Sequence, residues 1–127
     1  MKSRRRGFTL IELLIVVCII GLLAAIAIPR FSNMKQKANV ATMQTALRNL
    51  GQAEETFFAE HGAYSAVLDS LNFKPSAEMT LTVLEATNTG WSATITHPLA
   101  VPRKCAFYLG TATPVAPATD QGSMACE

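Results

Sequence analysis

Glu12 is the residue that most needs a chemical explanation. It is the only charge between Phe8 and Ile28, an apolar run of 21 residues closed by Pro29. A carboxylate in hydrocarbon costs on the order of a few kcal/mol and is retained for a partner or a function. The other groups able to do chemistry are scattered: His61 and His97, the acids Glu54, Glu55, Glu60, Asp69, Glu78, Glu85 and Asp120, and three cysteines. Catalysis needs a nucleophile beside a base, a carboxylate pair or a metal set. No spacing here supplies one, and each of the histidines and acids reads as a solvated surface residue. The histidines lack ligand spacing and there is no second cysteine pair, so zinc is not expected. The sequence points away from an enzyme and from any cofactor.

The segment that holds Glu12 has a basic stub, Met1 to Gly7, on its N-terminal side. By the positive-inside tendency the stub stays in the cytoplasm and the remainder is sent outward. A cleaved signal peptide should end in a small-residue site after the apolar core, for which Ala24-Ala25-Ile26-Ala27 is a weak candidate, and it should not carry Glu12 inside that core. A plain transmembrane anchor fits the length, since about 20 apolar residues span the hydrocarbon. It leaves Glu12 unexplained.

The third reading is a resemblance. Arg6-Gly7-Phe8-Thr9-Leu10-Ile11-Glu12, followed by Leu13-Leu14-Ile15-Val16-Val17 and by Ala24 to Pro29, resembles the class III signal and N-terminal helix of type IV prepilins. The resemblance implies that a membrane prepilin peptidase cuts after Gly7 and methylates the new N-terminus at Phe8, so that the apolar segment is kept. It also implies that Glu12 of one subunit pairs with the Phe8 amine of its neighbour during filament assembly. Desolvation offsets much of the gain from such a pair, so its force lies in registry: an unpaired Glu12 is penalised. The bland alternative is a Glu12 that snorkels to the cytoplasmic headgroups one turn away.

Composition agrees. The chain has 127 residues, room for one modest domain. Its net charge of +2 is uneven: the leader holds four of the eleven basic side chains and no acid, leaving seven basic against nine acidic. The processed chain lacks the broad basic footprint of a nucleic-acid binder, and Arg103-Lys104 is at most a weak local patch, so DNA as a partner is unsupported. Cys18, in the apolar span, reads as a small hydrophobe. Cys105 and Cys126 fall in the exported part, where a disulfide is expected. Closing a loop of about 20 residues contributes roughly 3 kcal/mol in the chain-entropy model.

Beyond Pro29 the helical period resumes. Val40, Met43, Leu47, Leu50, Ala53 and Phe57 recur at steps of three and four, with Thr42, Thr45, Asn49, Gln52 and Thr56 on the opposite face. Pro29 removes a backbone hydrogen bond and is expected to kink the helix without stopping it. Gly21 and Pro29 bracket the stretch expected to lose helical order when the segment leaves lipid for a filament core. His61-Gly62 offers a helix stop, and Ala66 to Leu71 a short helical turn, with Tyr64, Leu68, Leu71 and Phe73 as packing residues. Met79–Glu85 and Trp91–His97 alternate at period two around Asn88-Thr89-Gly90, an antiparallel hairpin. Lys104–Gly110 is a third strand, and Thr111–Glu127 a loop tied by the disulfide.

The expected fold is α+β, a long N-terminal helix packed on a small antiparallel sheet, as in pilins. Its parts are a cleaved cytoplasmic leader (1–7), a membrane and filament-core helix (8–29), an amphipathic helix half (30–61) and an exported loop, sheet and disulfide-bounded tail (62–127). The expected partners are prepilin peptidase, other copies of the subunit in a homo-oligomeric filament, a pilus assembly platform and the inner membrane before assembly. The expected location is that membrane, then an extracellular surface filament. Two alternatives stand beside it. One is a pseudopilin of a type II secretion system, disfavoured because its acidic calcium-binding loop has no counterpart in Asp120 and Glu127. The other is a membrane-anchored exported binding domain that does not polymerise.

Overall fold

The computed structural model describes residues 7–127; the leader residues Met1 to Arg6 lie outside the described residues. One helix, α1 (Leu10–His61), is followed by four strands: β1 (Thr80–Ala86), β2 (Gly90–Thr96), β3 (Lys104–Gly110) and β4 (Ala125–Cys126). The described residues group into two compact units, the first ending at Met34 and the second running Lys35–Glu127.

In the first unit the helix passes Gly21 and carries Pro29 inside its span. Its large side chains from Phe8 to Ile28 stay between 44% and 86% exposed. Cys18 is exposed among them with a free thiol. This helix, apolar all round, finds no partner among the described residues, and it is long and apolar enough to cross a membrane.

In the second unit the expected stripe is buried: Met43, Ala46, Leu47 and Leu50 meet Leu81, Trp91, Ala93 and Ile95 of the sheet. Val40, Ala53 and Phe57 pack at the margin, while Thr42, Thr45 and Thr56 face out and donate back to the carbonyls four residues earlier. The helix ends where expected. The Gly62 N–H donates to the Phe58 carbonyl at 2.8 Å, and Gly62 takes φ +72°, the left-handed cap that glycine adopts without penalty. The stretch after it folds as overlapping hydrogen-bonded turns through Leu68 to Asn72, with Asn72 at φ +50°, where the sequence suggested a helical turn. Leu71 is buried there, and Tyr64, Leu68 and Phe73 pack against the core.

The sheet order is β1-β2-β3-β4, antiparallel throughout. A bulge at Leu84 interrupts the β1–β2 register between Val83 and Glu85. Alternation on β3 splits its side chains: Cys105, Phe107 and Leu109 join the helix-facing core, while Ala106 and Tyr108 form a second cluster with Ala118, Val115 and Ala125. The tail thus covers the outer face of the sheet, where the Tyr108 hydroxyl donates to the Thr119 carbonyl at 2.9 Å. Strand β4, too short to leave a sequence signal, sets Cys126 directly opposite Cys105, and the two are bonded as a disulfide.

Candidate assembly site

Gly7, Phe8 and Thr9 precede the first turn of α1 in non-helical backbone. Thr9 is the N-cap and Glu12 the third helical residue. The Thr9 backbone N–H donates to Glu12 Oε2 at 2.9 Å, the Thr9 hydroxyl donates to the same oxygen at 2.7 Å, and the Glu12 N–H donates to Thr9 Oγ at 3.3 Å. This reciprocal arrangement is a capping box. It satisfies helix donors that have no intrahelical partner, and it sets a carboxylate at the positive end of the helix dipole. The sequence reading missed it, although Thr9-x-x-Glu12 ahead of an apolar run is its signature. Glu12 therefore has an intrachain partner as well as any partner on a neighbour. Phe8, 77% exposed, stands beside it at the head of the apolar surface.

The reading of the remaining acids and histidines as solvated surface residues is corrected at Glu54 and His97, which are buried; Glu55 and Glu78 are exposed and Glu85 is half-buried. Glu54 is fully buried: its Oε2 accepts the Ser65 N–H at 2.9 Å, while Oε1 has no partner among the described residues. Burial raises its carboxyl pKa above the usual range, against the lowering effect of the Ser65 hydrogen bond and with the help of nearby Glu55. Glu55 accepts the Tyr64 hydroxyl at 3.1 Å, and burial together with that carboxylate raises the phenol's pKa. Glu85 accepts the Thr113 N–H at 2.9 Å. His97 is buried; its Nδ1 accepts the Leu99 N–H at 3.1 Å, so the ring proton sits on Nε2, which lies 3.3 Å from the exposed Glu78 carboxylate. Each of these groups pins a loop to the helix or the sheet. Burial here is a tertiary effect, invisible in residue type. Among the described residues no three His, Cys, Asp or Glu side chains gather so as to hold a metal ion.

The candidate site is therefore the head of α1 with its bare apolar surface, and comparison with known proteins falls on the same segment. Residues 2–28 match the family described as the prokaryotic N-terminal methylation motif. The chain is 47% identical over 74 residues to the type IV major pilin protein PilA of Myxococcus xanthus, covering 58% of this chain and 34% of that protein. The chain is similar to type IV pilins over that part of its length. The type IV major fimbrial protein FimA of Dichelobacter nodosus is 50% identical over 56 residues, 44% of this chain and 36% of its own. A fimbrial protein of Neisseria meningitidis serogroup B is 32% identical over 79 residues, 62% of this chain and 46% of its own. The chain spans between a third and a half of the length of these curated relatives. Its helix-on-sheet architecture is the α+β pilin type.

Proposed function

We propose that the chain is the structural subunit of a type IV pilus. In this reading prepilin peptidase removes the leader after Gly7 and methylates Phe8, and the inner membrane holds the mature subunit until the assembly platform moves it into a surface filament. One observation carries it: the helix that begins with the methylation motif leaves its entire apolar surface from Phe8 to Ile28 uncovered. Lipid solvates that surface first; neighbouring helices replace the lipid in the filament, and many subunits share the burial. Gly21 and Pro29 bracket the stretch that loses helical order in that transfer. The relatives named as major pilin and fimbrial subunits favour a pilus over a secretion pseudopilin.

Glu12 gives the reading its sharpest test. In the membrane the Thr9 cap satisfies one carboxylate oxygen; in the filament the carboxylate meets the Phe8 amine of the next subunit. Removing one member of a buried ion pair costs about 3–5 kcal/mol. Glu12→Ala should therefore leave export intact and reduce sheared fibre yield by an order of magnitude or more. Normal fibre yield from that variant would reject the assembly role.

A further inference from the structure

The turn joining β2 to β3 carries an apolar tip that nothing among the described residues covers. Leu99 is 59% exposed and Val101 57%, on either side of the fully buried Ala100. The turn is firmly built: the His97 N–H donates to the Arg103 carbonyl at 3.0 Å, the Ala100 N–H to the His97 carbonyl at 3.3 Å, and the Leu99 N–H to His97 Nδ1 at 3.1 Å. A held backbone thus presents two large apolar side chains to solvent. Asn39 Nδ2 donates to the Leu99 carbonyl at 3.1 Å, which fixes the tip beside α1 just where the second unit begins. Lys35, four residues before Asn39, lies on the same helical face, and Lys37 on the far side of that turn; both are exposed.

Charge gathers at the same end. After Pro29 the chain has seven basic and eight acidic side chains, the whole less the leader's four cations and Glu12. Five of those seven cations, Arg30, Lys35, Lys37, Arg103 and Lys104, fall in residues 30–39 and 98–104, and none of the eight acids does. Two acids come near through folding: Glu78 is engaged with His97, and Glu127 pairs with Lys104 through the backbone. None of the five cations forms an ion pair among the described residues. Cations are normally kept on the cytoplasmic side of an apolar span, so a cluster just beyond its outer end needs a reason. Lys35 is six residues past Pro29, at most about 20 Å of extended chain. A subunit held in a bilayer by residues 8–29 must carry this surface close to the headgroups.

We propose that this surface rests on an anionic bilayer, with Leu99 and Val101 dipping among the headgroups and the cations on the lipid phosphates, an inference that rests on the membrane-held subunit proposed above. Apolar side chains beside cations are what an interfacial anchor needs. Each cation near an anionic surface strengthens the contact about fivefold. Duplex nucleic acid would engage the cations and leave the apolar tip idle.

The test places the fluorophore NBD on Val101→Cys in the full chain, with Cys18→Ser and the native disulfide intact. Single chains are reconstituted in nanodiscs of phosphatidylcholine, alone or mixed with phosphatidylglycerol. In the mixed discs the label should emit at shorter wavelength, resist quenching by aqueous iodide and be quenched by lipid carrying a headgroup nitroxide. A label on Val67→Cys, an exposed residue in the turns after α1, should show none of this. High salt should release the Val101 label, since exposed charges are screened. Arg103→Gln should lower the ratio of shielded to bare label about fivefold, and Leu99→Ser should lower it too, both with the near-ultraviolet dichroism of Trp91 unchanged. A Val101 label as open to iodide as the Val67 label, equal shielding in neutral and anionic discs, or unchanged shielding in Arg103→Gln would overturn the proposal. So would shielding that needs two chains in one disc, which seats a second copy on the surface, or shielding that needs added duplex DNA. A chain that never enters the discs would overturn the membrane-held subunit as well, whereas one that enters with a bare Val101 label overturns this inference alone.

Discussion

The helix α1 serves two regions that solve the same physical problem in opposite ways. From Lys35 onward, Met43, Leu47 and Leu50 bury their surface against Trp91, Ala93 and Ile95 of the same chain. From Phe8 to Ile28, side chains of the same kind stay exposed. One region closes its core internally; the other needs lipid or a neighbour to close it. On the proposed function a single helix is half folding element and half assembly element, and the mutational consequences should divide the same way.

The largest contrast is expected from truncating one apolar residue in each half. Leu50→Ala should destabilise the second unit by about 2–5 kcal/mol, the range for a fully buried leucine. Ile19→Ala, 51% exposed in the wild type, should leave its unfolding midpoint unmoved. Thermal unfolding followed by near-ultraviolet dichroism of Trp91 separates the two, and equal shifts would break the division. Next is the disulfide, which ties the tail to β3. Cys105→Ser with Cys126→Ser should lower stability by about 3 kcal/mol in the chain-entropy model, measured by denaturant midpoint, without altering membrane insertion.

The smallest effect sharpens the comparison through pH. The Glu54 carboxyl holds its proton to higher pH in the folded state than its ordinary 4.5, because burial disfavours the charged form. The native state then binds more protons than the unfolded state between those two values. Stability should fall as pH rises through that window and flatten above it. Glu54→Gln retains an acceptor for the Ser65 N–H and should abolish that slope. A slope that persists in the variant would assign the titration to another group.

Much of this division was legible in the residues. The step of three and four from Val40 to Phe57 placed the buried face, and Lys104–Gly110 was read as a strand with the bounds it has. What escaped has physical reasons. Strand β4 is two residues long and exists because the disulfide and the Lys104–Glu127 backbone pair hold it. Glu54 falls on the buried face because the helix lies across the loop carrying Ser65, a contact set by the fold and not by residue type. The Tyr108 cluster formed because the tail, read as a loop, folds back over the sheet. The Thr9–Glu12 box is different, since its signature stood in the sequence beside the motif that drew attention away from it.

The most direct test of an N-terminal half kept for assembly is the intact mass and N-terminal sequence of the protein taken from its native cell surface. The account predicts a chain beginning at N-methyl-Phe8 and lighter by two hydrogens for the single disulfide. A chain beginning near Ala27, or one that retains Met1, would contradict it.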